Sequence, residues 1–284
     1  MAFEELIENT LERVPSGLFA GIIGENPSAG ARSPHLWNAA FHAHELTGVQ
    51  MYPLDVAAEN LTALLAALEA VENFIGGAVA VPYKESVASW LNGRVAGAAG
   101  AIGAVNCLYR GKDGRLSGTN TDGEAALKSI EKNAGTIAGK NVVLLGLGGA
   151  GKAVAAYVAS ALGPEGGLTG SVRDAGKSQK FADNIGAVVS AWPPSKEALA
   201  TVDVVINCTS VGSTAQDPHI SPLPLEAMAS LGSNTLVFDI IYDPAPTMLL
   251  KHAQQRSLQV LDGKEMNLMQ AILAFEYAAP QPFG

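Results

Sequence analysis

Two cysteines in 284 residues are too few for a disulfide framework, and Cys107 and Cys208 stand far apart in apolar surroundings with no C-x-x-C spacing. Both read as buried thiols. Charge is scarce as well: Asp, Glu, Lys and Arg make up 16% of the chain, and 27 acids against 18 bases leave a net charge of −9. With no basic run anywhere, nucleic acid and anionic membrane surfaces are excluded as partners. No apolar stretch approaches the ~20 residues a membrane-spanning helix needs. The N-terminal MAFEELIENTLERV is acidic and helical in period, without the basic and apolar segments of a signal peptide. Metal-ligand spacing is also missing. His42 and His44 belong to HAHE rather than HExxH, and His35, His219 and His252 are scattered, so no metal centre is expected. These absences point to a cytoplasmic protein that acts on a small molecule.

What the chain has in quantity is apolar residues, 48%, together with 31 glycines, a composition suited to two well-filled domains. One stretch organises the rest. In KNVVLLGLGGAGKA (140–153) an apolar run leads directly into G-x-G-x-x-G, with Gly146, Gly148 and Gly151 as its glycines, and AVAAYVASAL follows with the composition of a helix. Strand, tight turn and helix in that order make a dinucleotide site. Gly146 allows the turn, Gly148 lets backbone N–H groups approach a pyrophosphate, and Gly151 lets the helix lie close to the strand with its positive end toward the phosphates.

Strands and helices alternate on both sides of this stretch. Ahead of it, LFAGIIG (18–24), QMYPLDV (50–56), FIGGAVAV (74–81) and AIGAVNCLYR (101–110) read as strands, with SPHLWNAAFHAHEL, AENLTALLAALEAV and KESVASWL as helices between them. RLSGTNTDG (115–123) leads through the helix EAALKSIEKNAG to the central strand, which sets the domain boundary near Asp122. Beyond the glycines, LTGSVR, GAVVSAW, DVVINCT, TLVFDIIY and LQVLDG read as strands of a doubly wound parallel sheet. Helices are expected at SQKFADNI, SKEALATV and PTMLLKHAQQ, and a long loop at Gly212–Pro224. The final KEMNLMQAILAFEYAA is amphipathic, with Met266, Met269, Leu273 and Phe275 or Tyr277 near one side, and folds back to complete the first domain. The expected division is therefore 1–122 plus 264–284 as a substrate and catalytic domain, and 123–263 as a Rossmann-type dinucleotide-binding domain.

Seven segments in order, VPYKESVASWL, GAVNCLY, GTNTDG, GLGGAGKA, NCTSVG, DIIYDPAPTMLL and DGKEMNLMQAILAFE, make the chain resemble the shikimate dehydrogenase family over nearly its whole length. The resemblance implies two α/β domains facing each other across a cleft, and reversible nicotinamide-dependent reduction of the ring ketone 3-dehydroshikimate to shikimate. It implies a place in aromatic amino acid biosynthesis and leaves a homodimer open. Such chemistry needs one side chain to carry the proton between the alkoxide and solvent. Lys84, close behind Pro82 at a strand end, is the candidate, with Asp122 to hold its ammonium group and accept a hydrogen bond from the substrate; the resemblance assigns the same pair. Asp122 also suits a helix N-cap. By resemblance Ser33, Asn106, Tyr242 and Gln270 contact substrate, while Gly149, Ala150, Thr209 and Gly263 join the three fingerprint glycines along the nucleotide. Asn106 interrupts an apolar run, where its amide requires a ligand or a cross-strand partner.

Two features depart from that pattern. At the end of the second nucleotide-domain strand, Arg173 and Lys177 suit the 2′-phosphate of NADP, whereas Asp174 suits the ribose 2′-hydroxyl of NAD. The balance favours NADP. On the substrate side, Ala31 stands where the family has the first Ser of Ser-x-Ser-Pro, and Ala78 and Ala80 stand in the strand where the family reads Asn-Val-Thr-x-Pro. Residues two apart share a strand face, so three polar contacts are missing together, with nearby Arg32 as a charged substitute. This points to a paralogue acting on a less hydroxylated or different ring acid, quinate-like or aminoshikimate-like. The competing readings are a non-enzymatic dinucleotide sensor, which has no use for an acid/base pair, and a dehydrogenase of another substrate class on the same scaffold.

Overall fold

The computed structural model describes residues 2–11 and 15–279. The chain forms two compact units, Met1–Thr121 with Ala271–Gly284, and Asp122–Gln270. The first contains β1 (Phe19–Gly24), α1 (Ser33–Ala43), β2 (Gln50–Asp55), α2 (Leu61–Ala70), β3 (Phe74–Val79), α3 (Lys84–Leu91), α4 (Ala99–Ile102), β4 (Cys107–Arg110) and β5 (Leu116–Thr119). Its sheet runs β2-β1-β3-β4-β5. The first three strands are parallel, and β4 and β5 are antiparallel to their neighbours. Every residue of β1 is buried, as its continuous apolar run predicts. Leu61, Leu64, Leu65 and Leu68 recur at helical spacing on α2 and pack with Phe19 and Phe74. A second cluster takes Trp37 and Phe41 from α1 and Phe275 from the closing helix, whose ring centroid lies 5.4 Å from Trp37 and 5.1 Å from Phe41.

AIGAVNCLYR does not form the single strand expected of it. Ala99–Ile102 make one helical turn, Gly103 ends it at φ +66°, and pairing starts only at Cys107. The next strand, β5, lies within the stretch expected only to lead into a helix. Strand β3 carries an irregularity opposite Phe19 and Ala20, after which Gly76 and Gly77 follow. A Cβ on Gly76 would sit 2.2 Å from Leu108 O, and one on Gly77 2.0 Å from Gly21 O, so both neighbouring backbones close in where only glycine fits.

The outward backbone groups of both edge strands are occupied. On β2, Asn38 bonds Met51 N and O at 2.7 and 3.2 Å, and Asn9 bonds Pro53 O and Asp55 N at 3.0 and 2.8 Å. Glu8 N completes the set on Asp55 O at 2.8 Å. These bonds hold the N-terminal segment along the strand. The helix expected there is reduced to a single 3-10 turn, Phe3–Leu6, while residues 12–14 of that expectation lie outside the described residues. On β5, Leu116 N donates to Glu69 at 3.0 Å, Leu116 O accepts from Arg94 at 2.5 Å, and Gly118 pairs with Arg94 O and Ala96 N. Arg110 gathers the C-terminal end of α2, donating to the carbonyls of Leu68, Glu69 and Val71, and also to Phe74 and Gly114.

The second unit holds most of α5 (Thr121–Ala134), then β6 (Asn141–Leu145), α6 (Gly149–Leu162), β7 (Gly167–Val172), α7 (Ala175–Ile185), β8 (Val188–Ala191), α8 (Lys196–Ala200), β9 (Val204–Asn207), α9 (Leu225–Met228), β10 (Leu236–Asp239), α10 (Met248–Gln255), β11 (Gln259–Leu261) and the start of α11 (Gly263–Ala278). All its strands are parallel, in the order β11-β10-β9-β6-β7-β8. The chain runs outward from β6 to β8 and returns to β9 on the other side of β6. That reversal opens a crevice at the carboxyl ends of β6 and β9, where open α/β sheets bind ligands. Gly123 allows α5 to lie against α6, since a Cβ there would be 2.3 Å from Ala153 O. Among the described residues no helix is long and apolar enough to cross a membrane, and no cluster of His, Cys, Asp and Glu is arranged to hold a metal ion.

Candidate active site

The glycine turn fills the crevice after β6. Gly146 takes φ +88°, a left-handed conformation that glycine adopts without penalty. A Cβ on Gly151 would lie 2.1 Å from Gly146 O, so helix and turn touch as the fingerprint requires. Gly148, the N-cap of α6, and Gly149 have nothing within 4 Å of a built Cβ, and both are exposed. Open space beside the first turn of a helix of this length is where a pyrophosphate would meet the N–H groups and the positive end of the dipole. A pocket of about 480 Å³ begins here and is lined by Gly146, Gly148, Arg173, Asp174, Lys177 and Thr209 among others. Gly149, Ala150 and Gly151 belong to the adjoining turn of α6, outside the lining. Gly263 opens α11, where a Cβ would overlap Ile240 O at 2.1 Å, so its glycine requirement is one of packing.

The opposed signals of Arg173 and Asp174 have a local structural basis. Asp174 is the N-cap of α7 and accepts from Lys177 N at 3.4 Å, while its second oxygen lies 3.5 Å from Lys177 Nζ. The carboxylate thus serves the helix start, and all three charged side chains are exposed at one pocket wall. Trp192 and Gln216 also line the pocket, neither flagged by the sequence pattern.

Lys84 is the first residue of α3 and half-buried; the strand ends earlier, at Val79, so the lysine stands on a helix start and not on a strand end. Helix α5 begins at Thr121. Asp122 therefore lies inside its first turn, and the N-cap expectation for it does not hold. Part of the capping falls to Asn106, whose Oδ1 accepts from Thr121 N at 2.8 Å and whose Nδ2 donates to Thr121 Oγ1 at 3.1 Å. The buried amide thereby gains the partner its apolar setting demands, at the start of a helix and not across a strand. Ser33 opens α1 and is half-buried, Tyr242 is 51% exposed in the loop after β10, and Gln270 is half-buried on α11. Lys84, Ser33 and Asn106 belong to the first unit, and Asp122, Tyr242 and Gln270 to the second.

Behind the pocket lies a buried polar group the motif reading passed over. Asp239, fully buried at the end of β10, is bonded by Asn207, Thr247 and Ile241. Burial pushes its carboxyl up to about 6, against the lowering effect of these three donors. Burial, with the Asp239 charge as the lesser cause, also pushes the neighbouring Cys208 thiol well up, and both cysteines are buried free thiols as expected. An acid at the end of the apolar run TLVF was the available signal.

The parallel sheet, the glycine turn and the pocket at the switch point define a Rossmann-type α/β protein. Comparison with known proteins narrows this. The sequence model of the shikimate dehydrogenase substrate binding domain matches residues 22–108. A shikimate dehydrogenase (NADP(+)) of Symbiobacterium thermophilum is 35% identical over 279 residues, covering 92% of this chain and 88% of that protein. The shikimate 5-dehydrogenase of Listeria monocytogenes, solved with shikimate and NAD, superposes with TM-score 0.81 at 25% identity, covering 95% of this chain and 94% of the other. Ligand-free 5-ketofructose reductase of Gluconobacter sp. strain CHM43 gives TM-score 0.79 at 31% identity, covering 94% and 95%. The chain belongs to the shikimate dehydrogenase family.

Proposed function

We propose that this protein is an oxidoreductase that exchanges hydride between a nicotinamide dinucleotide and a cyclic hydroxy acid of the shikimate type. The observation that carries the reading is the Gly146–Gly151 turn opening into a pocket with two cations on its wall, in a chain of this family. The bound dinucleotide supplies the hydride. The first turn of α6 binds the pyrophosphate, and the exposed Gly148 and Gly149 let the backbone reach it. Lys84 gives a proton to the oxygen that becomes the alcohol and removes it in the reverse direction, while Asp122 orients the ammonium group. Residues 1–121 with the end of α11 form the substrate domain, and the unit carrying the glycine turn is the dinucleotide domain.

Arg173 and Lys177 favour NADP, and the capping role of Asp174 accounts for an acid beside them. Threonine also caps helices, so Asp174→Thr removes the charge while keeping α7 anchored. It is expected to raise the NADP preference, and Arg173→Ala to lower it, each by about 1 to 3 kcal/mol. The ratio of kcat/KM for the two nucleotides measures this; ratios unchanged in both variants would show that the 2′ position is read elsewhere.

The substrate is a relative of shikimate rather than shikimate itself. Ala31, Ala78 and Ala80 are half-buried and pack together on the apolar cluster of Trp37, Phe41 and Phe275, where the family pattern has hydroxyls and an amide. Each ring hydroxyl or carboxylate buried there without a partner costs about 1 to 3 kcal/mol, so shikimate should bind roughly a hundredfold more weakly than in an enzyme that keeps these partners. Quinate-like and aminoshikimate-like acids, which differ from shikimate in their ring substituents, are the acids to compare with it, and the likeness to a 5-ketofructose reductase adds a sugar ketone to them. Steady-state kinetics on shikimate, quinate, related acids and 5-ketofructose, each with NADP and NAD and followed by nicotinamide absorbance, tests both points. A poor shikimate KM that improves in Ala31→Ser with Ala80→Thr supports the reading. A low micromolar KM for shikimate with brisk turnover overturns it.

A further inference from the structure

Asp239 is a fully buried carboxylate that the proposed chemistry does not use. Its position is set by the sheet: β9 and β10 pair in register so that Asp239 stands beside Asn207, and β6 on the far side places Leu145, the residue before Gly146, beside Asn207 as well. Asn207 is also fully buried. Its Nδ2 donates to Asp239 Oδ1 at 3.0 Å and, at the longer distance of 3.5 Å, to Val211 O, while its Oδ1 accepts from Thr209 N at 3.0 Å and Thr209 Oγ1 at 2.7 Å. Thr209 Oγ1 accepts in turn from Val211 N at 3.2 Å. Thr209 and Val211 line the nucleotide pocket, and Thr209 Cγ2 is the atom nearest to where a Cβ on Gly146 would stand, at 2.6 Å.

The direction of the Asn207 amide is what this arrangement decides. An amide has a donor end and an acceptor end, and a wall built on Thr209 N–H and O–H needs the acceptor end. An acceptor placed at the opposite end, here Asp239 Oδ1, favours that choice. The other oxygen of Asp239 accepts from Thr247 Oγ1 at 2.7 Å, and Thr247 caps α10 through Leu250 N at 3.4 Å. Beside the Ile241 N–H it accepts at 3.1 Å, the carboxylate thus has two side-chain arms, one reaching the pocket wall and one reaching the start of α10.

We propose that Asp239 is a positioning residue for the dinucleotide site, acting through Asn207 to fix the Thr209–Val211 wall against the glycine turn. This rests on the dinucleotide reading above, and the two arms give it a test that a merely structural role would not pass. Dissociation constants for NADP and NAD are read from quenching of protein fluorescence, since Trp192 lines the pocket, alongside thermal melting. Asp239→Ala should weaken the preferred nucleotide at least tenfold. Thr247→Val cuts only the α10 arm and should lower the melting temperature while leaving nucleotide affinity within about twofold, a spread too small to reflect a lost charged contact. Asp239→Asn keeps an acceptor for Asn207 and should restore affinity. Should Asp239→Ala not fold, Asn207→Ser breaks the same link from the pocket side and carries the same expectation. Affinity that falls in step with melting temperature across all variants, or that is unchanged in Asp239→Ala or Asn207→Ser, overturns the proposal while leaving the dinucleotide reading intact. A wild-type protein that binds neither nucleotide overturns both.

Discussion

Lys84→Ala will lower turnover by about a hundredfold to ten-thousandfold on whichever substrate the kinetic survey identifies, the usual worth of a positioned general acid/base. Two observations support a loss of this kind. The side chain starts α3, a helix whose Val87 and Leu91 are buried, so its backbone is held rigidly. Removing the ammonium also leaves that helix its core contacts, so the fold and the nucleotide affinity should survive. Asp122→Asn should lower turnover in the same direction, because an amide cannot orient the ammonium as a carboxylate does. The measurement is kcat with saturating nucleotide, checked against nucleotide dissociation constants and melting temperature. Near-normal turnover in Lys84→Ala would remove the lysine from the mechanism, and a parallel collapse of nucleotide binding would place the defect in the fold.

The largest stability effect is expected at Arg110, which no functional motif contains. Helix α2 ends with carbonyls that have no partner within the helix, and the guanidinium supplies donors to Leu68, Glu69 and Val71 while also reaching Phe74 and Gly114. Burial holds its pKa below the usual arginine value, opposed by the charges of Glu69 and Glu72, and it remains a cation throughout the accessible pH range. Arg110→Ala removes the guanidinium's bonds to these carbonyls, of which Leu68 O and Val71 O keep the backbone donors Val71 N and Phe74 N, and should cost about 3 kcal/mol, allowing for solvent reaching the rest. Arg110→Lys should recover little, since one ammonium cannot span the fork. Urea unfolding at fixed pH measures this, with the midpoint falling and the slope unchanged. A loss below about 1 kcal/mol would mean that water replaces the guanidinium at these carbonyls.

The sequence made the nucleotide unit legible because its central strands β6, β9 and β10 are buried on both faces and read as continuous apolar runs, from NVVLL to LVFD. The Gly146–Gly151 turn was equally plain, since Gly146 and Gly151 answer to steric demands of the backbone and Gly148 and Gly149 leave the helix start open. The first unit was harder. AIGAVNCLYR is apolar throughout, and composition alone does not reveal that Gly103 ends a helical turn before Cys107 begins a strand. Strand β5 is short and rich in Ser, Gly and Thr, with partners, Glu69 and Arg94, distant in sequence. The roles of Asp174 and Asn106 depended on where helices start, the least legible property of a sequence. Asp239 went unseen because no motif reading asks what a lone acid at the end of an apolar strand is bonded to.

The two borders of the first sheet bear on how copies of this protein meet. Every outward N–H and C=O along Met51 to Asp55 and at Leu116 and Gly118 already has a partner, and Pro53 has no N–H to offer. A row of unsatisfied groups is what invites a strand from another chain to dock and continue the ladder. Here such an intruder would first have to displace Asn9, Asn38, Glu69 and Arg94. Self-association of this unit by merging sheets is thereby closed off, whether as an ordered dimer or as aggregation during storage. Any pairing of subunits through this unit must use side-chain surfaces, and Asn38→Ala, which uncovers Met51 on one border, is the change that would reopen the sheet to a neighbour.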